Sequence, residues 1–113
     1  MGTFNRLRIT IICPDCGGVQ EAYIQYKFGS TWQYTYKIGD TITWGGNNHG
    51  KPELKKVKAY GIIESTTCIF CEKNNIPEEY DIVIENNIIQ SVQPMDSYED
   101  YMQEITGGNY LTL

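Results

Sequence analysis

The chain has 113 residues and a formal net charge of −5, with 41% hydrophobic and 20% charged residues. This length suits one compact domain over residues 1–113, which buries roughly 65% of the surface of its unfolded chain. The composition excludes a disordered chain or a coiled coil. The most apolar stretch, residues 9–12, is far shorter than the roughly 20 residues of a membrane span.

The N-terminal residues predict the cellular location of the protein, and its charge restricts the class of partner. Basic residues near the N-terminus precede only a short apolar run, which does not match a secretory signal, so we expect a cytoplasmic protein. Residues 1–63 carry eight basic and four acidic residues, whereas residues 64–113 carry one basic and ten acidic residues. The overall acidic balance argues against general affinity for nucleic acid.

Alternation of apolar and polar residues with a period of two dominates the first ninety residues and predicts strands there. The pattern is clearest where Trp32, Tyr34, Tyr36 and Ile38 interleave with polar residues, and it indicates a strand with one aromatic face. Gly29 can adopt a positive φ and marks a turn before that strand. The predicted strands cover residues 6–11, 22–28, 32–38, 41–44 and 54–63.

The last third of the chain changes its pattern. Residues 80–85 and 88–92 flank Asn86-Asn87, a pair that tolerates the left-handed backbone of a tight hairpin. Farther on, Tyr98, Tyr101, Met102 and Ile105 recur at helical spacing, which predicts one short amphipathic helix over residues 97–106.

All four cysteines fall into two Cys-x-x-Cys pairs, Cys13 with Cys16 and Cys68 with Cys71. A two-residue spacer lets both sulfurs of a pair point to one side of a tight turn, and two such turns can supply a tetrahedron of thiolates. Four thiolates close the coordination shell and leave no position for water or substrate, which is typical of a structural ion.

The sequence Cys-Pro-Asp-Cys-Gly-Gly at residues 13–18 resembles the knuckle of zinc ribbon and rubredoxin-like proteins. The resemblance implies two knuckles, each followed by strands and clamped by one zinc ion. The second knuckle departs from the pattern, because Glu72 and Lys73 follow Cys71 where a glycine is usual, and we expect its backbone to be looser. The 51 residues between the two pairs are too many for a minimal ribbon, so they predict an inserted β meander.

Other assignments for the cysteines are two disulfides, two redox dithiols or buried free thiols. Disulfides are rare in cytosolic proteins, and a redox dithiol is typical of a thioredoxin-like βαβ unit, which this strand-rich sequence does not supply. We therefore expect a bound metal ion at the four cysteines, with zinc as the predicted metal and iron still open.

Two further groups of residues are candidates for a partner site. An aromatic strand face can bind bases, sugars or peptides, although a sheet of this size also needs large side chains in its core, and we expect a core role. Lysines beside aromatic residues can bind a single strand of nucleic acid, but they are also typical of a solvated or protected strand edge. The candidates are Trp32, Tyr34, Tyr36, Trp44, Lys55, Lys56 and Lys58.

Catalytic motifs are missing from the sequence. His49 is the only histidine, and it lies in a Gly/Asn-rich loop that favours a solvated turn residue. We therefore predict a mainly β, antiparallel zinc-ribbon-type sheet with an inserted meander and a short C-terminal helix. The predicted function is a non-enzymatic protein-binding or adaptor domain without membrane contact; a nucleic-acid-binding ribbon and a thiol redox protein are the alternatives.

Overall fold

The computed structural model describes residues 4–45, 48–95 and 110–112, and these residues form a mainly β protein. The described part contains no helix, and hence none long and apolar enough to cross a membrane. The strands are β1 (Asn5–Ile12), β2 (Val19–Tyr26), β3 (Gly29–Ser30), β4 (Thr35–Tyr36), β5 (Asn48–His49), β6 (Lys56–Ile63), β7 (Glu79–Glu85), β8 (Ile88–Pro94) and β9 (Tyr110–Thr112).

Seven of these strands form one mixed sheet that curves into a half-barrel. Its order is β4-β1-β2-β6-β7-β8, and β9 also pairs with β6. β6 is the central strand, because one of its edges pairs with β7 while the other is shared between β2 and β9. All of the pairs in this sheet are antiparallel except β1 with β4, which is parallel.

One short segment connects the two edges of the half-barrel. β4 pairs with Arg6 and Leu7 at the β1 edge, and the chain then crosses to the β8 edge. There, the Gly39 amide donates to the Ile89 carbonyl at 2.8 Å, and the Ile89 amide donates to the Asp40 carbonyl at 3.0 Å. Residues 35–42 therefore close one end of the half-barrel, and none of the described strands closes the opposite end, where the cysteines lie.

The core fills the closed end. Inward-facing residues of β1, β2 and β6 alternate with more exposed ones, as expected for a sheet with one buried face. Phe28 anchors this core, with its ring edge-on to Trp44 at 5.3 Å and to Tyr110 at 5.4 Å between centroids. The largest fully buried apolar side chains are Phe28, Leu7, Ile24, Ile82, Ile84, Ile89 and Val57.

The predicted hairpin at Asn86-Asn87 is confirmed. β7 and β8 pair on either side of it, and the two asparagines have φ angles of 53° and 64°. Two consecutive left-handed residues form the hairpin turn whose twist matches the flanking strands, and asparagine accepts this conformation more readily than most residues.

Several details of the predicted fold are wrong. The strand expected over residues 32–38 is reduced to the two residues of β4, because Gln33 adopts a φ of 59° and breaks the extended backbone. Residues 41–44 form only an isolated bridge between Thr41 and Ile88. The sheet is mixed rather than antiparallel throughout, since β4 joins β1 in parallel. The helix predicted over residues 97–106 lies outside the described residues.

A buried asparagine holds β1 to the segment that follows β2. Asn5 is fully buried, and its side-chain amide donates to the carbonyls of Phe28 and Ser30, each at 3.1 Å. Its side-chain oxygen accepts the Tyr34 amide at 3.2 Å. The Asn5 side chain thus provides hydrogen-bond partners for three backbone groups. This stabilises the fold, because a buried polar group without a partner is costly.

We expect Asn5→Ala to lower the free energy of unfolding by about 3 kcal/mol, because these backbone groups lose their partner in the interior. The exposed Gln90 provides a control, and Gln90→Ala should change stability by less than about 0.5 kcal/mol. Urea unfolding of both variants measures the difference, and equal stability of the two would contradict this role of Asn5.

Candidate metal centre

Strand pairing brings the two Cys-x-x-Cys pairs to the same end of the sheet. Cys13 and Cys16 lie in the turn that joins β1 to β2. β6 runs antiparallel to β2, with Ile63 opposite Ile24, so the chain leaves β6 toward that same turn and then carries Cys68 and Cys71. The convergence of the four residues follows from this register.

The four sulfur atoms form a compact cluster. All of them lie within 4.8 Å of one another. The Cys13 and Cys71 sulfurs are 3.7 Å apart, and the Cys16 and Cys68 sulfurs are 3.6 Å apart. Metal–sulfur bonds of about 2.3 Å in a regular tetrahedron place neighbouring sulfurs about 3.8 Å apart. The cluster therefore has the dimensions of a four-thiolate metal site, and all four predicted ligands come together.

The first knuckle is a tight turn closed by backbone hydrogen bonds. The Gly17 amide donates to the Cys13 carbonyl at 3.0 Å, and the Cys13 amide donates to the Gly18 carbonyl at 2.9 Å. Gly17 has a φ of 72°, which glycine accepts without steric cost. The Gly18 amide also points at the Cys16 sulfur, at 3.4 Å. This turn aims both sulfurs at the opposite knuckle.

The second knuckle repeats the first bond for bond, so the looser backbone expected there is not found. The Glu72 amide donates to the Cys68 carbonyl at 2.9 Å, and the Cys68 amide donates to the Lys73 carbonyl at 3.0 Å. Glu72 has a φ of 62° and occupies the position that Gly17 occupies in the first knuckle. A non-glycine residue in this left-handed conformation is strained.

Exchanging the residue types at these equivalent positions should move stability in opposite directions. We expect Glu72→Gly to raise the free energy of unfolding by about 0.5–1 kcal/mol, since relief of the left-handed strain exceeds the entropic cost of glycine. Gly17→Ala should lower it by about 1 kcal/mol, because an added Cβ meets no atom within 4 Å and only the φ is unfavourable. Thermal unfolding measures both, and the same sign in both variants would contradict the equivalence of the knuckles.

Two polar side chains that the sequence analysis missed connect the knuckles. Asn75 follows the second knuckle, and its amide donates to the Cys13 sulfur at 3.5 Å and to the carboxylate of Asp15. Gln20 in β2 accepts the Ile69 amide at 2.9 Å. Hydrogen bonds to metal-bound groups orient the ligands, so Asn75 is placed to fix one sulfur of the site.

We expect Asn75→Ala to weaken Zn²⁺ binding by about 10-fold to 100-fold, as removal of such an orienting partner does at other metal sites. The neighbouring Asn74 is the matched control, because it is exposed and bonds to Thr67 rather than to a cysteine. Asn74→Ala should keep the affinity within about twofold. Competition with a chromophoric chelator measures both constants, and equal losses would contradict a role specific to Asn75.

Backbone amides favour the thiolate form of one cysteine in each pair. The pKa of the Cys13 thiol is lowered to about 6, and the main cause is a hydrogen bond from the Cys16 amide. The Cys71 amide likewise lowers the pKa of Cys68. Each knuckle therefore stabilises negative charge on its first sulfur.

The second cysteine of each pair is shifted the other way. The Gly18 amide acts to lower the pKa of Cys16, but burial and the neighbouring thiols outweigh it and raise this pKa to about 12. The Lys73 amide opposes a similar rise at Cys71, where burial and the neighbouring thiols also raise the pKa. Each knuckle therefore combines one thiol of lowered pKa with one thiol of raised pKa.

Metal binding should therefore release protons. Cys16 and Cys71 keep their protons at pH 7 in the metal-free protein, and both must lose them to become ligands, so we expect at least two protons per Zn²⁺. Below the pKa of about 6 at Cys13, this thiol is protonated too, and affinity should fall more steeply with acidity. Calorimetric titration in buffers of different ionisation enthalpy counts the protons, and release of none would contradict the account.

The structure separates the aromatic residues proposed as a partner site. The expected core role is confirmed for Tyr36, which is buried, and for Trp44, which is half-buried and donates to Asn87 at 3.2 Å. It is wrong for Trp32 and Tyr34, which are exposed. Gln33, with its left-handed backbone, separates Trp32 from Tyr34 along the chain, whereas the rings of Tyr34 and Tyr36 pack edge-on with their centroids 6.1 Å apart.

The lysines also divide into two groups. Lys55 and Lys56 are exposed. Lys58 is half-buried, and its ammonium lies 3.8 Å from the carboxylate of Asp81, which is buried. Nucleic-acid binding by the three lysines stays a prediction, and an ion pair within the protein already engages one of them.

Comparison of the chain with protein-family models, with curated proteins and with solved structures found no match. The resemblance to zinc ribbons therefore rests on the two knuckles alone.

Proposed function

We propose that the chain is a non-enzymatic protein-binding or adaptor domain whose fold is held by a structural zinc ion at Cys13, Cys16, Cys68 and Cys71. Four thiolates satisfy a tetrahedral ion completely, so no coordination position remains for a substrate or an activated water. Sulfur-only tetrahedral sites suit zinc and iron, and zinc adds folding energy without redox chemistry.

Exposed apolar side chains on the knuckles carry the proposal. Ile12 and Val19 are 68% and 56% exposed, and Ile69 and Phe70 are 68% and 59% exposed. We call these four residues the apolar tip. Soluble proteins seldom leave several neighbouring large apolar side chains in water, and such patches are typical of protein interaction sites.

The metal ligands position the apolar tip. Ile12 and Val19 are opposite each other across β1 and β2, next to the first knuckle. The ring of Phe70 lies against Gly18, where an added Cβ would come within 2.3 Å of it. Phe70 lies between Cys68 and Cys71, so loss of the ion would release it from Gly18. A structural ion can in this way maintain a binding surface.

The charges around the apolar tip favour a protein partner with basic residues. Asp15, Glu21 and Glu72 are exposed close to the tip, and the nearby Lys73 is paired with Asp15 at 4.0 Å. Four thiolates around one divalent ion add a net charge of −2 to this region. A surface of this sign repels phosphates and attracts lysine and arginine.

Affinity capture from cells that express the protein tests this function. Ile69→Ser removes an exposed apolar side chain from the tip, and Ile62→Ser removes one that is 40% exposed on β6, away from the knuckles. We expect wild type and Ile62→Ser to retain the same protein in equal amounts, and Ile69→Ser to retain at least tenfold less. Both variants should bind the metal at the wild-type stoichiometry.

Nuclease treatment separates the alternative functions. Capture that survives the nuclease and depends on Ile69 supports the proposal. Capture that is lost after nuclease treatment, and also lost on charge reversal of Lys55 and Lys56, would favour a nucleic-acid-binding ribbon instead. Capture through a mixed disulfide with a substrate thiol would favour the redox alternative.

A further inference from the structure

The outer edge of β1 is open beside the metal centre. β4 covers this edge at Arg6 and Leu7. The Arg6 amide donates outward to the Tyr34 carbonyl at 2.8 Å, whereas the Cys13 amide donates inward to Gly18. Because the backbone groups of alternate residues point to the same edge, those of Arg8, Thr10 and Ile12 point outward. The parallel register of β4 also engages Arg8, whose amide donates to the Tyr36 carbonyl. Within residues 4–45, 48–95 and 110–112, no strand pairs with the outward groups of Thr10 and Ile12.

A cleft of about 370 Å³ runs along this edge, between β1 and β8. Its volume falls in the range of clefts that bind ligands or peptide side chains. Most of its walls are apolar, and they come from β1, from the segment after the second knuckle and from β7 and β8. The apolar residues that form them include Ile9, Ile11, Ile76, Tyr80 and Val92.

The facing edge of β8 is less suited to pairing. The Met95 amide donates to the Glu79 carbonyl of β7 at 3.0 Å. Backbone groups alternate in direction along a strand, so those of Val92 and Pro94 point away from β7 and toward the cleft. Pro94 has no N–H to donate, and proline protects an edge strand against additional pairing. A strand that entered the cleft would therefore pair with β1.

The charges that line the cleft change sign along β1. At the metal end lie Asp15 and the four cysteines, which carry net negative charge with a divalent ion bound. At the other end, Arg8 and Lys37 line a continuation of the cleft, and both are exposed. Glu21 also lines this part, where it is opposite Thr10 near the middle of β1. A ligand with a basic end and an acidic end complements this arrangement in one direction only.

We propose that the cleft binds an extended peptide segment of a partner protein, which adds as a strand to β1 at Thr10 and Ile12. Alternate apolar side chains of the peptide enter the cleft, a basic residue lies toward the metal centre, and an acidic residue lies toward Arg8 and Lys37. Addition of a strand to an open edge gives affinity through main-chain bonds and selectivity through the pockets beside them. This inference rests on the proposed protein-binding function and assigns it a site and a ligand class.

Selection from a library of random twelve-residue peptides, displayed on phage, tests the proposal with the metal-loaded protein. We expect enriched peptides with apolar residues at alternate positions and with opposite charges at their ends. Arg8→Glu should weaken a chosen peptide at least tenfold and shift the selected sequences toward a basic residue at that end.

Two variants at one position test the backbone contact. Thr10→Pro removes an outward N–H, while the bonds of β1 to β2 come from the residues on either side, and it should weaken the selected peptide at least tenfold. Thr10→Val keeps the N–H and should bind within about twofold of wild type. If Thr10→Pro does not fold, hydrogen exchange in the wild-type protein decides: bound peptide should slow exchange at Thr10 and Ile12 at least tenfold.

Three results would overturn the strand addition. These are no enrichment above an unrelated control protein, equal binding to Thr10→Pro and Thr10→Val with both folded, or unchanged exchange at Thr10 and Ile12 in the complex. A selected peptide that depends on Ile69 and not on Thr10 would leave the protein-binding function in place and remove only the β1 site. Metal content, measured separately, reports on the structural role of the ion.

Discussion

The convergence of four thiolates at the open end of the half-barrel is the constraint on which the rest of the structure depends. β2 pairs with β6 through only three residues, and this pairing ends at Ile24 opposite Ile63. Beyond it, the β1–β2 hairpin extends for five more residues of β2 before reaching the knuckle. The sulfur cluster and the bond between Gln20 and Ile69 hold this extension to the β6–β7 segment. A metal ion at the four cysteines would hold these two segments together beyond the point where the strand pairing ends.

The crosslink joins positions that are far apart in sequence. Cys16 and Cys68 are 52 residues apart, and Cys13 and Cys71 are 58 residues apart. In the chain-entropy model, a covalent link over such a span stabilises the native state by about 4 kcal/mol. That is a large share of the 5–15 kcal/mol that typical domains have in total. A bound metal ion, together with the knuckle amides and Asn75, would offset the electrostatic cost of gathering four thiolates.

The proposed function depends on two surfaces beside the four cysteines, namely the exposed side chains of the knuckles and the outer edge of β1. Four thiolates around one ion would leave no reactive position, while the same turns present Ile69 and Phe70 to solvent. No strand among the described residues pairs with the outer edge of β1 at Thr10 and Ile12. An ion at the four cysteines would fix the turns from which both surfaces extend. In this account zinc maintains the shape of a binding surface and takes no part in chemistry.

Local patterns in the sequence predicted those features that local chemistry decides. The two Cys-x-x-Cys pairs predicted the sulfur cluster because each pair forms a short local turn, and Asn86-Asn87 predicted the hairpin because its turn depends on two adjacent residues. The strand over residues 32–38 was wrong because its alternation is interrupted by Gln33 and by the bond between Tyr34 and Asn5, which is 29 residues away. Asn75 was missed for the same reason, since its role arises only when the two knuckles meet. The parallel pairing of β4 with β1 is likewise a tertiary feature without a local signature.

Native mass spectrometry of the purified protein tests the central claim most directly. The account predicts one zinc ion per folded chain, retained at neutral pH and lost in Cys68→Ser together with much of the thermal stability. A folded wild-type protein that carries no ion, and that melts at the same temperature as Cys68→Ser, would contradict it.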